Sequence, residues 1–180
     1  TLTSAFTWVA QNAKAYNIRV ANCSVGGSVS STDTKLMNAI SNARSKNVLV
    51  SCAAGNSGSI PIPSKSFPAD YAESVISVMS VDQNKGLSRG SNYNTDEEKE
   101  GSSNKNLCAP GDGIRSTSNA SDSSYMLKTG TSMASPHVAG VAALIYAYDY
   151  QADNDYDLDE ATVRKILYAT ATNLETPGWD

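Results

Sequence analysis

Residues 48–54 read VLVSCAA, a continuous apolar run closed by Gly55-Asn56-Ser57-Gly58. A short run with neither a helical stripe nor polar alternation, ended by turn residues, reads as a strand buried on both faces. Such strands belong to parallel sheets covered by helices. Upstream, STDTKLMNAISNARSKN (31–47) sets Leu36, Met37, Ile40 and Ala43 at helical spacing, with Asn47 as a stop. Before it, SAFTWVAQNAKAY (4–16) repeats the helical pattern, and NIRVANCSV (17–25) reads as a strand ending at Gly26-Gly27. SVISVMSVD (74–82) is a third strand. Helix and strand alternate with short connections, which predicts parallel crossovers in an α/β sheet.

The expected helices fall near 3–16, 32–46, 132–150 and 160–171, and the strands near 18–24, 48–53 and 74–81. Asp159 is placed to cap the last helix ahead of Val163, Ile166 and Leu167. Residues 82–105, with the charged run TDEEKEGSSNK (95–105), read as a solvated surface loop. LCAPGDGIRST (107–117) resumes ordered structure through a Pro-Gly turn.

The 180 residues suit one domain with a sizeable core. A net charge of -4 argues against nucleic acid as a partner. No apolar run approaches the ~20 residues of a membrane span, and TLTSAFTWVA at the start lacks the pattern of a secretory signal. Cys23, Cys52 and Cys108 have neither metal-ligand spacing nor the look of a disulfide framework, and their apolar settings suggest buried thiols. Asp153, Asp155 and Asp157 alternate, but an EF-hand loop counted from Asp153 would need Gly and Glu where Leu158 and Arg164 stand. A solvated loop is expected there. Of the sequons at Asn22 and Asn119, the first lies in an expected buried strand, which disfavours glycosylation.

Three stretches can carry chemistry. GTSMASPHVAG (130–140) sets Ser132 at the mouth of a small-residue helix, where unpaired amides and the helix dipole favour negative charge. Pro136 falls near the first turn, where a missing N–H costs little. Taken alone, Ser132 fits a helix cap as well as a nucleophile. AAGNSG (53–58) puts Asn56 at the carboxyl edge of the sheet, as a turn residue or an oxyanion donor. SVGG (24–27) opens another strand end into glycines.

Together, in this order, the stretches resemble the subtilisin-like serine proteases, the subtilase family. GTSMASPHVAGVAAL is similar to the segment around that family's nucleophilic serine, VLVSCAAGNSG to its oxyanion-hole segment, and CSVGG to its substrate-pairing strand. FPADYAESVISV and LCAPGDGI also resemble family segments. The resemblance implies a three-layer fold with a parallel sheet between helices, of which residues 1–180 are the C-terminal portion of one catalytic domain. It implies Ser132 as acyl nucleophile and Asn56 as oxyanion donor. Ser24, Val25 and Gly26 would line one side of the substrate cleft, and Ala53, Ala54 and Gly55 the other. The partner would be a polypeptide substrate and the location secreted or cell-surface. No cofactor is needed for that chemistry, and structural calcium, common in the family, has no ligand set identifiable here.

The triad does not close within these residues. His137 is the one histidine, and five helical residues place it about 140° around and about 7.5 Å along from Ser132, so it is not the base. The family order is Asp, His, Ser, and residues 1–22 contain no Asp, Glu or His. The preferred expectation is an upstream half supplying both groups, with self-association through the bared sheet edge. The alternative is a non-catalytic pseudoprotease or peptide-binding module.

Overall fold

The computed structural model describes residues 1–27, 33–58, 66–71, 73–94, 107–153 and 157–174. Four strands, β1 (Val20–Cys23), β2 (Leu49–Ala53), β3 (Ile76–Val81) and β4 (Leu107–Pro110), pair in that order, every pair parallel. Side-chain alternation divides the core in two. Cys23, Val48, Val50 and Cys52 pack with Phe6, Ala10, Leu36 and Ile40, so α1 (Leu2–Asn12) and α2 (Thr34–Ser45) cover one face. Leu49, Ile76 and Val78 pack with Ala134, Val138, Val163 and Leu167, so α3 (Thr131–Asp153) and α4 (Glu160–Thr170) cover the other. All of β2 and β3 is buried, as the run at 48–54 predicts. Each fully buried Val or Leu contributes about 1.5–3 kcal/mol to such a core.

The helix signals are visible at the termini. Asp33 accepts from the amides of Lys35 and Leu36 at the start of α2, and Asn47, at φ 65°, ends it. Asp159 accepts from the Thr162 amide at 2.7 Å and caps α4. The first helix stops at Asn12 and not at 16: the chain turns through Asn17 at φ 49° so that the Ile18 amide reaches the Ala13 carbonyl.

Several expectations need correction. Asn22 is exposed, because β1 lies at the edge of the described sheet. Residues 82–94 are not merely solvated: Ser88, Ser91 and Asn92 are buried and bonded beneath the ends of β2 and β3. The remainder of that loop, 95–105, lies outside the described residues, as do residue 32 and residues 154–156 of the aspartate-rich stretch. A hairpin, β5 (Ile114–Thr117) with β6 (Tyr125–Lys128), was not expected, nor was β4 as a strand. The hairpin leaves the sheet after β4 and returns to α3. Its base is closed by the Gly130 amide on the Gly111 carbonyl at 2.8 Å, and by the Thr129 hydroxyl on Asp112 at 2.6 Å.

An ion triad centred on buried Glu160, with Arg164 nearly buried and Arg44 about a third exposed, ties the two helical layers together. Glu160, 4% exposed, meets Arg44 of α2 at 2.9 Å and Arg164 of its own helix. The arginines continue to the carbonyls of Glu73 and Val75. Glu160→Gln is expected to destabilise the protein by ~3 kcal/mol, because it leaves two guanidinium groups around an uncharged amide. Urea unfolding checks this, and a change below about 1 kcal/mol would mean that water satisfies both arginines.

Candidate active site

Parallel strands bring their carboxyl ends to one edge of the sheet, and α3 begins at that edge. Ser132 is the second residue of α3. Its hydroxyl donates to the Ser24 carbonyl at 2.9 Å, and the Ser24 hydroxyl donates to the Ser132 carbonyl at 2.8 Å. The second bond has a cause in the sequence. In an uninterrupted helix the Ser132 carbonyl would accept from the amide of residue 136, but Pro136 has none. Pro136 thus lies inside the helix proper, and the carbonyl it orphans is met by a side chain from the strand end.

Asn56 is clamped to the same turn. Its Oδ1 accepts from the Thr131 amide at 2.9 Å and from the Thr131 hydroxyl at 3.2 Å. That commits the carbonyl side of the amide to the residue before Ser132 and leaves Nδ2 without a partner among the described residues. Thr131 is buried, and its hydroxyl also accepts from the Gly55 amide at 3.1 Å. Gly130 enters the helix at φ +145°, and a Cβ there would stand 3.2 Å from the Asn56 Oδ1. The turn therefore needs glycine at 130.

A second asparagine holds the first. Asn92 donates from Nδ2 to the Ala54 carbonyl at 2.9 Å, accepts at Oδ1 from the Ser57 amide at 2.7 Å, and gives its own amide to the Gly55 carbonyl. Gly55, at φ +102°, lies so close that a Cβ would meet the Asn92 Nδ2 at 2.5 Å. Sequence reading missed both Asn92 and Thr131. A buried Asn in an apparently polar loop carries no local signal, whereas Thr131, beside the serine, was open to inspection.

Beneath Ser132 a polar seam joins α3 to the sheet. The Ser135 hydroxyl donates to the Asn22 Oδ1 at 2.7 Å, and the Ser51 hydroxyl lies 3.0 Å from both the carbonyl and the hydroxyl of Ser135. Asn22 in turn donates to the Ser24 hydroxyl at 2.9 Å. The structure thus brings Ser24, Asn56 and Ser132 together around one helix start. Val25 and Gly26 are exposed just beyond, Gly55 is half-buried, and Ala53 and Ala54 are buried below. His137 faces solvent, its Nδ1 2.8 Å from the Met133 carbonyl one turn back. The geometric reading of His137 holds: its ring is bonded along its own helix and not to Ser132.

The three cysteines are free thiols, with Cys23 and Cys52 buried and Cys108 half-buried. Among the described residues no group of three or more His, Cys, Asp or Glu is placed to hold a metal ion. No helix there is long and apolar enough to cross a membrane.

A parallel α/β sheet with a serine at a helix mouth and an asparagine on the neighbouring strand end defines a class of architecture, and comparison with known proteins gives the family. The subtilase family model matches residues 2–180, and the chain belongs to that family. It is 38% identical to subtilisin DY of Bacillus licheniformis over 174 residues, covering 96% of this chain and 55% of the relative. It is 39% identical to the major intracellular serine protease of Bacillus subtilis (strain 168) over 137 residues, 75% of this chain and 39% of the relative. Among solved structures, a cold-adapted subtilisin-like serine proteinase superposes with a TM-score of 0.75 at 32% identity, covering 98% of this chain and 57% of that one. The chain thus spans about half the length of the curated relatives it matches.

The exchange between Pro136 and Ser24 can be measured. Ser24→Ala should destabilise the fold by about 1 kcal/mol by leaving the Ser132 carbonyl unmet. In a Pro136→Ala background the restored amide takes that carbonyl, and the same substitution should cost less. A double-mutant cycle in urea is expected to give a coupling of about 0.5–1.5 kcal/mol. Strict additivity would show that the Ser24 hydroxyl is not the substitute donor.

Proposed function

We propose that residues 1–180 form the C-terminal portion of one subtilase catalytic domain, which hydrolyses peptide bonds through an acyl-enzyme on Ser132. The observation that carries this reading is the clamp of Asn56 on Thr131. It fixes the amide carbonyl inward on the residue before the serine and leaves the Nδ2 donor, unpartnered among the described residues, beside it. A donor pre-positioned in this way is what a developing oxyanion requires. The Ser132 amide, among the first four of α3 that intrahelical bonding leaves unmet, is the second donor, and the positive end of the helix dipole adds to both.

The Ser132 hydroxyl proton rests on the Ser24 carbonyl, an acceptor too weak to remove it. Activation needs a base. With His137 engaged on its own helix, that base and its orienting carboxylate come from an upstream half of the domain, in the same precursor or as a separate chain. The hydroxyl then exchanges its bond to Ser24 for one to the incoming imidazole and attacks the scissile carbonyl. The substrate is an extended polypeptide lying against Ser24, Val25 and Gly26, with Gly55 and the backbone over Ala53 and Ala54 opposite. Nucleophile, donors and base are all protein groups, so the step needs no cofactor. The uncovered edge of β1 is the seat of the upstream half and, without it, of self-association. A secreted or cell-surface location accords with this activity.

The test is fluorophosphonate labelling of the full-length protein. Labelling is expected and should vanish with Ser132→Ala. Asn56→Ala is expected to lower peptide turnover ~10²–10³-fold, the cost of losing this donor in subtilisin itself. Intact binding of extended peptides without any labelling would favour a non-catalytic peptide-binding module.

A further inference from the structure

Two thiols lie face to face at the ends of the first two strands. Parallel pairing sets Cys23 directly opposite Cys52. Neighbouring strands run about 4.7–4.9 Å apart, inside the Cα separations of about 4.4–6.8 Å that a disulfide spans. Both side chains belong to the buried cluster under α1 and α2. Cys23 also donates to the Val25 carbonyl at 3.3 Å.

Their surroundings make the two sulfurs unequal. The adjoining Cys52 thiol, opposed by burial and aided by the Val25 backbone, draws Cys23 down to about 7. Burial, and then the neighbouring Cys23, push Cys52 well above the ordinary thiol range. Of the two, Cys23 is therefore the one that gives up its proton more readily and can act as the nucleophile, while Cys52 keeps its own. Cys23 is 4% exposed and Cys52 fully enclosed, which shuts out a bulky disulfide oxidant and restricts the reagent to a small one.

We propose that Cys23 and Cys52 are a reversible dithiol modification site, closed to a cross-strand disulfide by hydrogen peroxide. The Cys23 thiolate attacks one peroxide oxygen and the O–O bond breaks. Cys23 becomes a sulfenic acid, and the departing hydroxide takes a proton to leave as water. The Cys52 sulfur then attacks the Cys23 sulfur, the S–S bond forms and the S–O bond breaks, and the Cys52 proton leaves with the hydroxyl as a second water. Two thiols and one peroxide give one disulfide and two waters, with two electrons passing from sulfur to oxygen. The closed pair has no proton for the Val25 carbonyl, so the change falls on the strand end that carries Ser24. Cys108, set opposite Met79 on β4, takes no part. The site goes beyond the hydrolytic reading and does not depend on it.

The experiment uses the full-length protein with Ser132→Ala, which prevents self-cleavage. It is exposed to hydrogen peroxide, unfolded, alkylated, digested and weighed by mass spectrometry. The expected result is a single peptide pair joined through Cys23 and Cys52, two hydrogens lighter than the separate peptides. Cys108 stays alkylatable, and dithiothreitol restores both thiols. The same link should form with Cys108→Ser. The proposal is overturned if both thiols stay alkylatable, if Cys23 proceeds to sulfinic acid without a link, or if Cys108 is the partner. Because the readout is a covalent bond in a protein without the serine nucleophile, its failure and the failure of the hydrolytic reading are separate results.

Discussion

A parallel sheet must be covered on both faces, and that constraint organises this molecule. The side chains of β2 and β3 are apolar or small on each side, so α1 and α2 close one face while α3 and α4 close the other. Parallel strands also end at a common edge. Ser24 after β1, Asn56 after β2 and the Gly111–Gly130 closure after β4 are gathered there by topology before any side chain is chosen. The start of α3 arrives at the same edge, so its unpaired amides and its dipole are delivered to the place where the strand-end residues meet.

Between α3 and the sheet the packing is partly polar. Ser51, a strand residue with no exposure, faces Ser135 and not an apolar side chain. Buried hydroxyls stabilise only when satisfied, and those of Ser51 and Ser135 are, through Ser135 to Asn22 and on to Ser24. A Leu–Ala contact would hold the helix to the sheet as firmly but would let it slide. The directional seam fixes the rotation of α3 about its axis. Rotation is the variable that decides where the Ser132 hydroxyl points.

Much of this was readable beforehand, for identifiable reasons. The run at 48–54 announces its strand because both faces are buried, and Asp33 and Asp159 announce helices because caps act through their own side chains. Ser132 and Asn56, each ambiguous alone, were legible as a constellation only through the family resemblance of their segments taken in order. The hairpin was not, because all of β6 and most of β5 is exposed and neither strand alternates clearly. Asn92 was not, because its value lies in a carbonyl and an amide 35–38 residues upstream. Asn22 was misplaced as buried because an edge strand has the same composition as an inner one. The apposition of Cys23 and Cys52 depends on strand register, which no single stretch of sequence states.

The closure at the base of the hairpin has a consequence for how such a chain diversifies. The Gly130 amide on the Gly111 carbonyl fixes the exit from β4 and the approach to α3 at one distance, whatever lies between. The cost of a longer excursion grows only with the logarithm of its length once its ends are pinned. The stretch from Asp112 to Thr129 is therefore insulated: insertions, deletions or a grafted recognition element there would be registered at the rim and not in the helix start. In evolutionary terms it is a free variable attached to a fixed one, a place where relatives can change what they touch without relearning how to fold.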